Sequence, residues 1–425
     1  MELYFIFLLS LKIFISQKFI QGNAFYFVFW RSSVIFYSLL FIFALVLNTL
    51  WTFHSFSYDV SNFLVPLLDF LYFLVTLTIF LFLLGKYKPS ISSSYFYSII
   101  NFLLFFSLFY SFISLYFIIN SEYVNLLNLF FPFGVLIQGI WIIGPLFGAF
   151  YFLKLNNNQK KILILSIIFL LLLVFISGRR SLLLFIIFFL IFYSWRTVFF
   201  KKILLIISIG LLYTQLHTLQ LAFKTISTDK NANIHQLKEK TVQLDNIPFI
   251  KSAVIRIMHG YLLIEPVFKK LEKLEGVGFQ PLKTAILAPI PSKFLDNKPW
   301  PGSLDGSKKT AFQYIVNKIA FNRGWEMSEY PISLSFIWQG SMLILVASIF
   351  ATTFAMVVFF RSSIYFGDRF VILPLLTIYP GSYNYFLPEP IKLIQIFSYA
   401  FLPGFTVLFF LAFIKDLLKN INNKS

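Results

Sequence analysis

Long apolar segments separated by short polar ones run through most of the chain. Stretches of about 20 apolar residues, the length an α-helix needs to cross a hydrocarbon core, recur eleven times. They lie near 2–20, 32–51, 62–84, 95–119, 130–153, 161–177, 181–200, 203–223, 332–360, 370–387 and 391–414. The first is interrupted by Lys12, whereas 162–176 carries no charge at all. Between the eighth and ninth segments the pattern breaks over 224–330, which is polar and mixed. This pattern predicts an all-α polytopic membrane protein of about 11 transmembrane helices with one large, partly helical extracytoplasmic loop. Helices 1–8 fall within 1–223, the loop is 224–330, and helices 9–11 with a short cytoplasmic tail occupy 331–425.

Charge gives the predicted helices a direction, because Lys and Arg are retained in short cytoplasmic loops. Lys18 and Arg31, Lys86 and Lys88, then Lys154, Lys160 and Lys161 follow the first, third and fifth segments. Arg196, Lys201 and Lys202, Arg361 and Arg369, and the tail residues Lys415, Lys419 and Lys424 fall on the same side. The alternate short loops, 52–61 and 120–129, contain neither Lys nor Arg. The N-terminus is therefore expected outside and the C-terminus inside. Two features break the rule on the outer side: the adjacent Arg179 and Arg180 in a tight SGRRS connection at 177–181, and the long loop, which holds 16 Lys/Arg against 10 Asp/Glu. Long loops translocate largely regardless of charge, so only the arginine pair is anomalous.

Composition agrees with the membrane reading and narrows the chemistry. With 59% hydrophobic and only 12% charged residues, the chain lacks the polar surface of a soluble protein of 425 residues. The net charge of +18 would suggest nucleic acid in a soluble protein; here the positive-inside bias accounts for the cytoplasmic share, and no nucleic-acid partner is expected. The absence of Cys rules out disulfides, Cys-ligated zinc and thiol nucleophiles. Four His and no paired ligand spacing leave no basis for a metal site, and no phosphate-binding loop, HExxH or GxSxG motif is present. The N-terminus lacks a basic stretch ahead of its apolar run and a small-residue cleavage pattern, so it is expected to be a retained span.

Within the outer loop, 247–274 has apolar residues at mixed three and four spacing and is expected to be an amphipathic helix. Arg256 and His259 are three residues apart on it and share a face. A neutral imidazole beside a guanidinium can serve as general base while the arginine holds an anion; equally, both can face lipid headgroups. A section with Pro281, Pro289, Pro291, Pro299 and Pro301 follows, too broken for regular helix and apolar enough to lie along the membrane face. Lys298 beside Pro299 is its least mobile cation, and Arg323 adds charge to the same compartment. Glu326 is the second candidate base. The Arg179–Arg180 pair is the sharper signal, because arginine binds phosphate oxygens in a fork and a membrane-level arginine without a counter-charge is costly. A lipid-linked diphosphate sits at that depth; snorkelling to the outer headgroups is the alternative.

The SGRRS connection, Arg256 in the first helix of the outer loop, Pro289-Ile290-Pro291-Ser292-Lys293 leading to Asn297-Lys298-Pro299, and the re-entry at 335–340 carry a resemblance. Together they resemble the integral-membrane O-antigen and capsule repeat-unit polymerases of the Wzy type, with the O-antigen ligases of lipopolysaccharide synthesis as distant relatives. Two departures stand: Lys293 replaces an arginine expected one position earlier, and Ser335-Phe336-Ile337 stands for an Asn-Phe-Gly signature. The resemblance implies a membrane glycosyltransferase that works without metal or cofactor. It would move a glycan from undecaprenyl diphosphate onto a second lipid-linked repeat unit at the outer face of the cytoplasmic (inner) membrane, building O-antigen, capsule or exopolysaccharide. Arg179, Arg180, Arg256, Lys298 and Arg323 would hold diphosphate, with His259 or Glu326 as base. Implied partners are undecaprenyl-diphosphate-linked glycans, the bilayer, a chain-length regulator and a flippase. Three other functions fit less of the sequence. A lipid-linked oligosaccharide flippase needs no exported domain, a ligase would move finished polymer, and a metal-dependent glycosyltransferase would need an acidic first outer loop.

Overall fold

The computed structural model describes residues 2–19, 25–50, 64–84, 93–119, 134–176, 180–209, 280–287, 290, 294–295 and 298–299, together with 402, 406, 409–410, 413–414 and 421. These residues form helices and turns, and no β-strand occurs among them. The chain divides into two compact units, Met1–Ser90 with Ile257–Ser425, and Ile91–Arg256.

In the first unit, α1 (Glu2–Phe19) packs on α2 (Phe25–Leu50) and on α3 (Leu64–Leu84). These are the segments expected at 2–20, 32–51 and 62–84, except that α2 starts seven residues early. Its first turns, FYFVFW ahead of Arg31, are as apolar as the rest and bury Phe25, Val28, Phe29 and Trp30. Contact between Phe5 and Phe41, with ring centroids 6.0 Å apart, joins the start of α1 to the second half of α2. Lys12, which interrupts the apolar run of α1, is only 4% exposed; Asp69 of α3, 7% exposed, supplies the opposite charge acting on it. The Lys12 ammonium also lies 5.4 Å from the centre of the Phe73 ring, one turn beyond Asp69.

The second unit is built around α4 (Ser93–Ile119), α5 (Gly134–Phe150) and α6 (Asn157–Ile176), each packed on the other two. Gly144 and Gly148 form a GxxxG pair on α5 that permits this approach. A Cβ on Gly144 would come within 2.8 Å of the Leu103 carbonyl oxygen, and one on Gly148 within 2.9 Å of Leu163 and 3.0 Å of Leu104. Pro145 lies between them. A proline cannot donate the helical hydrogen bond to the carbonyl four residues earlier, here that of Trp141. The Ser107 hydroxyl of α4 donates to that carbonyl instead at 2.8 Å, and the Trp141 indole donates to Ser111 at 2.7 Å. Neighbouring helices thus satisfy the backbone group that the proline leaves free, as an apolar surrounding requires.

A reciprocal capping box starts α6: the Gln159 amide donates to the Asn156 side chain at 2.8 Å, and the Asn156 amide to the Gln159 side chain at 3.0 Å. Gln159 also donates to Asn101 of α4 at 2.7 Å, and Ser166 to the Leu104 carbonyl at 3.2 Å. Asn101 level with Gln159, and Leu104 with Ser166, make α4 and α6 parallel; Ser107 level with Trp141 and Leu103 with Gly144 make α5 antiparallel to α4. Next, α7 (Arg180–Phe189) packs against α6 and ends in a π turn, Leu190–Ser194, that touches α5. The segment expected at 181–200 therefore stops at Ser194. The chain is extended at Trp195, and a further helix, α8 (199–209), begins within the apolar run.

Among the described residues, two helices are long and apolar enough to cross a membrane: α4 over Ile99–Phe117 and all of α6. At 1.5 Å per residue, the 20 residues of α6 span about 30 Å. The side chains are distributed as lipid would sort them. On α4 Phe102, Phe105, Phe109, Phe112 and Tyr116 are exposed, a stripe at three and four spacing beyond the exposed Tyr97 and Asn101 near its start, while Ser107, Ser111 and Ser114 are buried. On α6, Ile164, Leu165, Ile168 and Leu172 face out and Gln159 and Ser166 face in. In the first unit, Phe7, Phe14, Phe43 and Phe82 are exposed, and Ser16, Ser32, Ser33, Ser38 and Thr76 are buried. Water would favour the reverse arrangement.

Candidate functional site

Arg180 is the first residue of α7, which follows the end of α6 by three residues. The first-turn amides of a helix have no intrahelical acceptor and its dipole is positive there, an arrangement that favours an anion. A cation at that position works against the dipole, and both costs are relieved when an anion occupies the turn. Among the described residues of this unit there is no Asp or Glu to play that part. Of the cations expected on the cytoplasmic side, Lys154 follows α5 and Lys160 and Lys161 lie in the first turns of α6, at its opposite end, while Arg196 follows the π turn and Lys201 and Lys202 lie on α8. Arg180 is thus separated from Lys160 and Lys161 by the length of α6.

Lys298 is placed in the first unit, within the proline-containing section. That section was expected to lack regular helix, and the structure corrects this: Gln280–Ile286 forms a short helix, α9. Pro281 falls in its first turn, where the missing N–H costs no helical hydrogen bond. The chain then turns, with the Ile290 amide donating to the Leu287 carbonyl at 3.2 Å. Lys298 returns to this turn and donates from Nζ to the Ile290 carbonyl at 2.6 Å. The bond closes 290–298 into a clasp, and burial against it pushes the Lys298 pKa below the ordinary lysine value. Ile286 and Phe294 beside the clasp are exposed at 60% and 79%, an apolar surface suited to a membrane face.

The other expected site residues, Arg179, Arg256, His259, Arg323 and Glu326, lie outside the described residues, as does the side chain of Arg180. Arg179, Arg180 and Arg256 belong to one compact unit; His259, Lys298, Arg323 and Glu326 belong to the other. Two features were missed in the sequence. The Lys12–Asp69 pair gave no local signal, since its members are in different helices, whereas the GxxxG at Gly144 and Gly148 was readable as it stands. Comparison with protein-family models, curated proteins and solved structures finds no match for this chain.

Proposed function

We propose that the chain is a multi-pass protein of the cytoplasmic membrane that polymerises lipid-linked oligosaccharide repeat units at the outer face. The observation that supports the reading is the adjacent Arg179 and Arg180 of the sequence, of which Arg180 opens α7, a helix length away from Lys160 and Lys161 at the start of α6. Cleaving a sugar–diphosphate bond requires stabilisation of the departing diphosphate. Two guanidinium groups and a helix start supply charge-assisted hydrogen bonds for it. Lys298, Arg256 and Arg323 add cations from the outer loop, and His259 or Glu326 would take the proton of the attacking sugar hydroxyl. The growing glycan stays on one carrier while the other leaves as undecaprenyl diphosphate. The resemblance of the SGRRS connection and of the proline-containing loop to repeat-unit polymerases supports the same chemistry.

A cell-based test separates this reading from its neighbours. Arg179→Ala and Arg180→Ala should each leave single repeat units on the acceptor, with the protein at its normal level in the membrane. Wild-type ladder lengths in both variants would count against the proposal, and complete loss of glycan from the acceptor would indicate a ligase. The buried Lys12–Asp69 pair is the one observation that favours a transporter, since ionisable residues within spans often mark transport pathways. Movement of lipid-linked units across a bilayer without their joining would establish that second reading.

A further inference from the structure

We propose that the Ser114 hydroxyl and the first-turn amides of α5 form a phosphate-binding site together with the start of α7, and that the site takes the diphosphate of the lipid carrier. The inference rests on the diphosphate reading above and adds groups to it that no charge pattern shows. Among the described residues, three buried hydroxyls have no hydrogen-bond partner: Ser38, Thr76 and Ser114. Enclosing a hydroxyl without a partner costs stability, and a phosphate oxygen would supply the missing acceptor. Ser38 and Thr76 lie midway along α2 and α3. Ser114, 2% exposed, lies in the last two turns of α4, level with the ends of its neighbours.

Side-chain and close-approach contacts fix that level. Ser107 donates to the Trp141 carbonyl, while Gly144 and Gly148 approach Leu103 and Leu104, so α5 runs against α4. Ser114 is seven residues beyond Ser107, and Gly134, the first residue of α5, is seven before Trp141. Both therefore lie about 10 Å from the Ser107–Trp141 bond, in the same direction along the helices. They also continue the facing sides: Ser114 follows Ser107 and Ser111 on α4, and Gly134 precedes Ile137, Trp141, Gly144 and Gly148 on α5, each at three or four spacing. On α6, Ser166 donates to the Leu104 carbonyl; ten residues further along each helix are Ile176, the last residue of α6, and again Ser114. Residues 177–179 are all that separates Ile176 from α7, so the Arg180 backbone stays within about 14 Å of it. One end of the second unit thus brings two helix starts, those of α5 and α7, to the level of an unpaired hydroxyl. The amides of both first turns lack an intrahelical acceptor and both dipoles are positive there, which suits a phosphate. The connection after α4 includes 120–129, a short loop without Lys or Arg, so this end is expected on the outer side.

The test follows the thermal midpoint of the purified full chain in detergent, alone and titrated with undecaprenyl diphosphate or with phosphatidylglycerol. The carrier lipid should raise the wild-type midpoint by binding the folded state, and phosphatidylglycerol should raise it less. Ser114→Ala removes an unpaired buried hydroxyl, so the midpoint without lipid should be at or above that of the wild type. The same variant should bind the carrier about tenfold more weakly, the loss of one hydrogen bond to a charged acceptor. Ser38→Ala, which removes an unpaired hydroxyl of the first unit, should bind the carrier as the wild type does. Unchanged carrier affinity in Ser114→Ala, or an equal loss in Ser38→Ala, overturns the proposal. An equal and Ser114-dependent rise with phosphatidylglycerol gives the phosphate site to a bulk headgroup and overturns its assignment to the carrier. Joining of repeat units by the wild type, with undiminished carrier binding by Ser114→Ala, would sink this site and leave the polymerase reading in place. Ser114-dependent carrier binding without any joining would do the reverse.

Discussion

A lysine enclosed by helices loses most of its hydration, and Lys12 is held at 4% exposure by an opposite charge on Asp69 and by the face of the Phe73 ring. Removing one member leaves the other buried and uncompensated. Lys12→Met or Asp69→Asn alone should therefore cost about 3–5 kcal/mol, whereas Lys12→Met with Asp69→Leu should stay near the wild type. Thermal unfolding of the purified variants measures this, and a double variant as unstable as the sum of the singles would refute the pairing. Sequence reading saw only that Lys12 interrupts a span. Its partner lies in another helix, and a linear pattern does not carry such distances. For Lys298, burial favours the neutral form, so its proton leaves at lower pH than from a free lysine. In the proposed role, Lys298 would hold its anion fully below that lowered pKa and release it as pH rises through it. Glycan joining should accordingly show an alkaline limb beginning below the usual lysine range, and Lys298→Arg should move the limb upward, since arginine stays protonated. A limb unmoved in that variant would separate Lys298 from the diphosphate.

At the level of helices, α4, α5 and α6 are held by close approach and by buried hydrogen bonds. Gly144 faces a backbone carbonyl that cannot rotate away, and Gly148 faces the ends of two leucine side chains that can. Gly144→Ala should destabilise by about 1–3 kcal/mol and Gly148→Ala by clearly less, which the thermal midpoints of the two variants in detergent would rank. Ser107 and Pro145 form a linked pair. Ser107→Ala leaves the Trp141 carbonyl without a donor and should cost about 1 kcal/mol. In a Pro145→Ala background the helix supplies its own donor, so the same change should be nearly neutral. Additive losses in that cycle would show that the hydroxyl does not replace the missing amide. These helices were legible because their apolar runs are long, but their ends were not. The start of α2 lay hidden behind Arg31, and the break at Trp195 falls in an apolar stretch where hydropathy does not distinguish helix from turn. Alternation of glycine and bulky residues on α5 carried the packing signal, yet a count of apolar residues passes over it.

Over the described molecule, the burial pattern agrees with the composition: serines, two threonines, a glutamine, a lysine and an aspartate are enclosed while many phenylalanines, though not all, face out. That sorting suits hydrocarbon surroundings and gives the helices a common solvent. The cations divide in the same way. Lys154, Lys160 and Lys161 lie where α6 begins, and Arg180 opens α7 beyond its other end. The anomaly of the arginine pair was readable from charge alternation alone, because topology makes a specific demand on that position. The base and the loop cations were readable only as residue types, since outer-loop contacts join positions far apart in the sequence. The central claim is that this chain joins lipid-linked repeat units and uses Arg179 and Arg180 to hold the departing diphosphate. Purified protein in liposomes, supplied with undecaprenyl-diphosphate-linked repeat units and followed by glycan length on a gel, tests it most directly. The account predicts multimeric glycans with the wild type and none with Arg179→Ala or Arg180→Ala at equal reconstitution. Single units throughout with the wild type, or multimers of unchanged length in both variants, would contradict it.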